Sequence, residues 1–230
     1  MSKDKEKKIH FDFEKKGDSK TYTKLIPYAH IVRDMRFKDL HYFGLENIPK
    51  EGGFIIACNH INFFDPGHIT IAAHDAVQRP VHCMCKSDPF ESAFWAKILT
   101  AANAFPVVRG RADFTSINYA VDLINSGKIV AIFPEGTRSR DGRLGRPKNG
   151  ISLIARAAHA DVLPMSIYNI EGAKKNTRMT IRVGEMIPYE KLGLTDDGDS
   201  HELKNATNVI WEAVTKLWGN AHCEEECEEE

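Results

Sequence analysis

A histidine and an aspartate five residues apart, His60 and Asp65, are the first candidates for chemistry in this 230-residue chain. They lie in residues 59–66 (NHINFFDP), directly after an apolar run. A carboxylate beside an imidazole fixes the tautomer of the ring and stabilises the imidazolium that forms when the ring takes a proton, so this pair is typical of a general base. The same residues also fit an ordinary helix start, with Asp65 as N-cap and Pro66 as the first helical residue.

A second candidate is the turn that follows another apolar run, in residues 133–140 (FPEGTRSR). Gly136 permits a tight turn and a close approach of the backbone to a ligand. Arg138 offers a planar guanidinium that can bind two phosphate oxygens at once. Glu135 can pair with an arginine or accept a hydrogen bond from a substrate hydroxyl, and Thr137 adds a hydroxyl group. The alternative interpretation is an exposed turn with solvated charges.

Two further basic residues follow apolar runs: Lys86 comes after residues 81–85 and Arg109 after residues 105–108. Each alone fits a surface base. Runs of this length that alternate with helical patterns indicate an α/β sheet, in which sites form at the loops that leave the strand ends. We therefore expect these residues, His60 and the turn at Glu135 to meet at one edge of the sheet and to bind a phosphate there.

The elements that position these residues are six short apolar runs and three helical patterns. The runs predict buried strands at residues 54–58, 81–85, 105–108, 129–133, 162–167 and 179–183. Apolar residues at helical spacing predict helices over residues 114–124, 151–158 and 203–217. Asp113 is expected to cap the first of these helices and Gly127 to end it. We expect a charged flexible arm at residues 1–20, one domain at 21–220 and an acidic solvated tail at 221–230.

Composition excludes several classes of protein. With 42% hydrophobic and 27% charged residues, the chain is neither collagen-like nor fully disordered. The net charge of −1 includes six glutamates in the last seven residues, and without them 31 bases face 26 acids. This mildly basic body suits a phosphorylated metabolite, an acidic protein or an anionic lipid surface, and is too weakly charged to indicate nucleic acid. Neither a signal peptide nor a membrane-spanning run is apparent, so a cytoplasmic protein is expected.

The cysteines offer a competing interpretation. Cys83 and Cys85 lie on one side of a predicted strand, and Cys223 and Cys227 lie four residues apart in the tail. Four thiolates could bind Zn²⁺ if the tail met the strand. The first pair lacks the usual spacer of two to four residues, so we favour core and tail cysteines and expect no metal.

Four sequence blocks together resemble the glycerolipid acyltransferases, and more narrowly the 1-acyl-sn-glycerol-3-phosphate acyltransferases. They are an Asn-His pair with an Asp five residues after the His (59–65), FPVVR (105–109), FPEGTRS (133–139) and LPM (163–165). The blocks occur in the order that the family has, and the resemblance covers about residues 22–190. It implies a single α/β domain with a mixed, largely parallel sheet flanked by helices, like that of glycerol-3-phosphate acyltransferase.

The resemblance also implies a reaction and a set of roles. A fatty acyl group would move from acyl-CoA or acyl-carrier protein to the free hydroxyl of a lysophospholipid acceptor, 1-acyl-sn-glycerol-3-phosphate, without a cofactor. His60 would act as general base and Asp65 would orient it. The acceptor and its phosphate would be held by Lys86, Arg109, Glu135, Gly136, Thr137 and Arg138. Acylation of another lysolipid, an inactive module that binds anionic lipid, and a zinc-stabilised interaction protein are the alternatives.

Because an acceptor of this kind is a lipid, we expect a peripheral contact with an anionic membrane surface on its cytoplasmic face. The candidate segment is residues 22–38, which mixes apolar and basic residues as interfacial helices do. The alternative is an ordinary amphipathic helix packed on the sheet. Pro27 is expected to limit any helix here to a start near itself.

Overall fold

The computed structural model describes residues 8–37, 39–108, 113–139, 141–169 and 178–228. Arg109 and Arg140 lie outside the described residues, and from residue 222 onward only the backbone is considered. The strands of the described residues form one sheet, and helices pack on both of its faces. The α/β fold predicted from the sequence is therefore confirmed.

Among the described residues, seven strands form a single mixed sheet. The strands are β1 (Leu40–Phe43), β2 (Phe54–Cys58), β3 (Val81–Lys86), β4 (Ala104–Val107), β5 (Ile129–Ile132), β6 (Val162–Asn169) and β7 (Met179–Val183). Their order in the sheet is β1-β7-β6-β2-β5-β3-β4. β6, β2, β5, β3 and β4 are mutually parallel, whereas β7 is antiparallel to β6 and parallel to β1. The carboxyl ends of the five parallel strands therefore meet at one edge.

The central strands β2 and β5 are buried along their whole length because helices cover both faces of the sheet. On one face Ile56 and Ala131 pack with Ile69 of helix α2. On the other face Ile55 and Val130 pack with residues of α4, α5 and α6. The helices are α1 (Tyr22–Arg36), α2 (Asp65–Val77), α3 (Ala93–Ala101), α4 (Phe114–Asn125), α5 (Gly150–Ala158) and α6 (Ser200–Glu228), with short 3₁₀ turns at Leu45–Asn47, Asp88–Glu91 and Tyr189–Leu192.

The ends of α4 follow the sequence prediction. Asp113 is the N-cap, and its side chain accepts a hydrogen bond from the backbone N–H of Ser116. The backbone of Gly127 takes a φ of 77°, a left-handed conformation that a residue with a side chain rarely adopts. The chain turns there from α4 into β5, which places the strand end that carries Glu135.

The structure differs from the sequence prediction at the start of α1. Pro27 lies inside this helix, which begins five residues earlier at Tyr22, so the expected helix start at Pro27 was wrong. In the arm expected to be flexible, Phe11 packs against Phe90 and Tyr119 with ring centroids 5.7 and 5.4 Å apart. The backbone of α6 extends through the expected tail to Glu228, since glutamate is a good helix former. The flexible arm and the solvated tail stay predictions.

In the described part of the chain, every helix is too short or too polar to cross a bilayer.

Candidate active site

His60 and Asp65 are hydrogen-bonded to each other in the loop between β2 and α2. His60 Nδ1 lies 2.7 Å from Asp65 Oδ2. Asp65 is fully buried, and the His60 side chain is 15% exposed. The same Oδ2 accepts hydrogen bonds from the backbone N–H groups of Ile61 at 2.7 Å and Asn62 at 2.9 Å. With its Nδ1–H donated to this carboxylate, the imidazole presents Nε2 as the nitrogen that can accept a proton.

The start of α2 separates the two interpretations of this segment. Phe64, not Asp65, is the N-cap residue, and Pro66 lies in the first turn. The carboxylate of Asp65, at the start of α2, points back toward the preceding loop and holds His60 there. Asp65 as an N-cap was therefore wrong, and the geometry is that of an imidazole oriented by a buried carboxylate.

The loop after β5 holds His60 from the other side. The His60 N–H donates to Glu135 Oε1 at 2.8 Å, and the His60 carbonyl accepts from the N–H of Ser139 at 2.7 Å. The imidazole stacks on the ring of Phe133, with centroids 4.2 Å apart and planes 22° apart. Since β2 and β5 are neighbours in the sheet, both loops leave the same edge. The backbone and the ring of His60 are thus fixed independently of Asp65.

Glu135 lies behind this site rather than at its surface. It is 4% exposed, and its second oxygen, Oε2, accepts from the N–H of Gly145 at 2.7 Å. A Cβ at Gly145 would lie 2.5 Å from that oxygen, so a larger residue there would displace the carboxylate of Glu135. Burial raises the pKa of Glu135, whereas the N–H groups of His60 and Gly145 lower it. Both oxygens join loops together, and a direct contact between Glu135 and substrate stays a prediction.

The rest of the turn presents its groups to solvent. Gly136 has a φ of 67°, and its N–H donates to the carbonyl of Phe133 at 2.9 Å. Thr137 and Arg138 are exposed. The side chain of Lys148 lies over this turn: a Cβ at Gly136 would be 3.1 Å from Lys148 Nζ. Lys148 is thus a second cation at the turn, beside Arg138. In the sequence it could have been noticed as part of the basic run that follows residues 133–140.

The other two predicted phosphate ligands are not joined to this cluster. Lys86 ends β3 at the same edge of the sheet, but β5 separates it from β2, and its ammonium group pairs with Asp88. Arg109 lies outside the described residues. Their roles stay predictions.

One buried amide that the sequence analysis did not single out, Asn59, fixes the end of β2. Its Nδ2 donates to the carbonyl of Ile167 at 2.8 Å, and its Oδ1 accepts from the N–H of Ile167 at 2.8 Å. Asn59 is fully buried. A polar residue directly after an all-apolar strand was the available signal. The paired bonds hold the residue before His60 to β6.

Among the described residues, no three His, Cys, Asp or Glu side chains come close enough together to hold a metal ion. Cys83 is buried in the core, where burial raises the pKa of its thiol to about 12. The side chains of Cys223 and Cys227 are not described.

A buried histidine on α2, His68, makes the stability of the protein sensitive to acid. Burial lowers the pKa of His68 from 6.5 to about 4. Between these values the unfolded chain binds a proton that the folded chain does not. We therefore expect the free energy of unfolding to fall by about 2 kcal/mol on its account between pH 7.5 and pH 5. Urea unfolding of the wild type and of His68→Phe at both pH values measures this effect.

Burial also lowers the pKa of His82, which is present in both proteins, so both lose some stability in acid for that reason. Only the difference between the two proteins in this loss of stability reports on His68. An identical loss of stability in both proteins would contradict the prediction.

Comparisons with known proteins agree on one family. Residues 39–168 match the sequence model of the family described as Acyltransferase. The chain is 33% identical over 147 residues to a 1-acyl-sn-glycerol-3-phosphate acyltransferase of Bacillus subtilis (strain 168), covering 62% of this chain and 71% of that protein. It is 26% identical over 180 residues to the protein of the same name from Borreliella burgdorferi, covering 75% and 69%.

The fold is similar to that of a solved structure. The crystal structure of the 1-acyl-sn-glycerophosphate (LPA) acyltransferase PlsC from Thermotoga maritima superposes with a TM-score of 0.62. The superposition covers 85% of this chain and 79% of that one, at 21% sequence identity.

Proposed function

Because this chain belongs to the acyltransferase family, we propose that it transfers a fatty acyl group from an acyl thioester to the free hydroxyl of 1-acyl-sn-glycerol-3-phosphate, giving phosphatidic acid. The donor is acyl-CoA or acyl-carrier protein. The names of the two bacterial relatives support the acceptor. The observation that carries the proposal is the 2.7 Å contact between His60 Nδ1 and the buried carboxylate of Asp65.

His60 acts as the general base in this reaction. As the acceptor oxygen attacks the thioester carbonyl carbon, its proton passes to His60 Nε2. The C–S bond then breaks, and the departing sulfur takes the proton from the imidazolium to leave as a thiol. The negative charge of Asp65 stabilises the imidazolium between these two steps. The reaction needs a base and a positioned acceptor, and neither a protein nucleophile nor a metal takes part in it.

The acceptor's phosphate supplies binding energy away from the reacting hydroxyl. Arg138 and Lys148 lie at the turn that also bonds to the backbone of His60 through Ser139. A phosphate bound there would be at a fixed distance from the imidazole, because Glu135 and Ser139 tie this loop to the backbone of His60. Holding the hydroxyl near the base in this way converts binding energy into rate.

The experiment that tests the function is a thiol-release assay with acyl-CoA and a panel of lysophospholipid acceptors. We expect lysophosphatidate to give the highest kcat/KM, and monoacylglycerol, which lacks the phosphate, to be a poor acceptor. Equal rates with lysophosphatidate and a lysolipid of another head group would contradict the proposed acceptor. Lipid binding without thiol release from acyl-CoA or acyl-carrier protein would indicate the inactive lipid-binding module.

We infer that α1 brings the site to an anionic membrane surface, on its cytoplasmic face. Tyr22 and Ile26 face the core, but four apolar side chains of α1 remain 46–69% exposed: Tyr28, Ile31, Val32 and Met35. The carboxyl end of α1 lies beside the catalytic loop, since the Arg36 guanidinium carbon is 5.1 Å from the ring centroid of Phe64. An exposed apolar face with neighbouring bases suits a helix that lies in the bilayer interface.

Replacing Ile31 and Val32 together by Ser should weaken binding to anionic vesicles by about tenfold or more, because roughly 1 kcal/mol of apolar contact is lost at each position. The melting temperature should change little, since both side chains are exposed. Vesicle sedimentation at two salt concentrations measures the effect, and salt should weaken binding of the wild type.

The control is Phe94→Ser with Ile98→Ser on α3, which removes two exposed apolar side chains of another helix. Unchanged vesicle binding by the α1 variant, together with a loss of thermal stability, would assign α1 to the core and the membrane contact to another surface.

A further inference from the structure

Beside the pair of His60 and Asp65 lie several buried polar atoms that lack hydrogen-bond partners among the described residues. Oδ2 of Asp65 accepts three hydrogen bonds. Its other oxygen, Oδ1, is buried and, among the residues that the structure describes, has no donor. Nδ2 of Asn62 and both ring nitrogens of His68 are also buried, and each lacks a hydrogen-bond partner among the described residues. Buried polar atoms in native proteins nearly always find a partner, so these atoms require an explanation.

These atoms belong to residues that are neighbours in the chain and in the fold. Asp65 and His68 lie three residues apart on α2 and therefore face the same side of the helix. The N–H of Asn62 donates to Asp65, which keeps this residue beside the carboxylate. His68 is 2% exposed, and its ring lies against Phe37 with centroids 4.8 Å apart. A polar ring set among apolar groups is costly unless it is hydrogen-bonded.

The chemistry of the unpaired atoms is complementary. Asp65 Oδ1 can accept a hydrogen bond and Asn62 Nδ2 can donate one. A neutral imidazole donates at one ring nitrogen and accepts at the other. Burial favours the neutral form of His68, the negative charge of Asp65 acts in the opposite direction by raising its pKa, and Arg33 of α1 lowers it. The ring nitrogens of His68 do not bond Asp65 Oδ1 directly in the structure. A water molecule bonded to Asp65, His68 and Asn62 would satisfy the same atoms and has the number of polar partners that buried waters have.

We propose that His68 is a positioning residue, whose ring N–H holds Oδ1 of Asp65 through one water shared with Asn62. The arrangement is then a chain of three side chains, His60–Asp65–His68. With both carboxylate oxygens fixed, Asp65 cannot rotate away from His60 Nδ1, and His60 keeps Nε2 unprotonated toward the acceptor. The proposal takes from the proposed function only that His60 is the base.

The kinetic test compares His68→Phe with His68→Gln. Phenylalanine keeps the size and shape of the ring but cannot donate, whereas glutamine keeps a donor and packs less well. We expect His68→Phe to lower kcat about tenfold at unchanged KM for both substrates, the scale seen when a group that orients a functional residue is removed. His68→Gln should keep most of the activity. His74→Phe on the same helix is the control and should leave kcat unchanged.

A purely structural role for His68 predicts the reverse order, with Phe active and Gln impaired. That order, or wild-type kcat in His68→Phe, would overturn the proposal.

A second measurement does not depend on activity and so separates this proposal from the proposed function. The ¹⁵N NMR signals of the His68 ring, assigned by their loss in His68→Phe, should show a neutral ring with one protonated nitrogen at pH 7. They should shift in Asp65→Asn, because the carboxylate partner is changed. If the His68 signals are identical in the wild type and in Asp65→Asn, the two side chains are not coupled and the proposal fails.

Discussion

Replacing His60 by alanine should reduce acyl transfer by at least 10²–10⁴-fold and leave the fold intact. This range is the usual contribution of a general base, and a loss beyond it is expected because the ring is also held in position. Three contacts fix it: the bond to Asp65, the stack on Phe133 and the bonds of its backbone to the loop after β5. Only the first two are lost with the ring, so the backbone remains anchored. The measurement is single-turnover thiol release, with circular dichroism and thermal unfolding as the check on folding.

Asp65→Asn is the companion variant. It keeps the size of the side chain and one oxygen for the N–H groups of Ile61 and Asn62, but it removes the charge that stabilises the imidazolium. We expect activity to fall nearly as far as in His60→Ala, with a loss of stability of about 1–2 kcal/mol. Wild-type turnover by a folded His60→Ala protein would exclude the general-base mechanism, whatever Asp65→Asn does.

The hydrogen-bonded pair of His60 and Asp65 could be predicted from the sequence because its information is local. His60 and Asp65 follow one buried strand within a single loop, and the apolar runs located six of the seven strands of the described residues with shifts of at most two residues at their ends. β1 was missed since its apolar run of four residues, LHYF, is interrupted by a histidine and is only partly buried. Its place is set by pairing with β7, which lies far along the chain.

Contacts between distant segments could not be read in the same way. Glu135 illustrates the limit: a carboxylate in a glycine turn fits a ligand to substrate as well as an internal anchor. Its contact with the His60 backbone joins residues 75 apart in the chain, and that of Asn59 with Ile167 joins residues 108 apart. The arm at residues 1–20 shows a related effect. Its average composition is charged, but within the described residues 8–20 the apolar side chains of Phe11 and Phe13 pack against Tyr119.

The second large effect concerns Arg138, where lysine should be nearly as harmful as alanine. Arginine binds two phosphate oxygens with a planar pair of N–H groups, and lysine keeps the charge without that geometry. A hydrogen bond to a charged group contributes about 1.5–3 kcal/mol, so we expect kcat/KM for lysophosphatidate to fall by roughly 10–100-fold in either variant. The protein should remain as stable as the wild type, because Arg138 is exposed.

The control for Arg138 is Arg143→Lys, which makes the same exchange at an exposed arginine in the same loop and should change kcat/KM only slightly. The decisive comparison is between acceptors. If Arg138 binds the phosphate, both of its variants lose their activity against lysophosphatidate but act on monoacylglycerol at the low rate of the wild type. Lys148, which lies over the adjacent Gly136, supplies charge that a lysine at position 138 merely duplicates, and this is a further reason to expect no rescue. An equal loss against both acceptors would show that Arg138 supports the loop that holds His60 and does not bind phosphate.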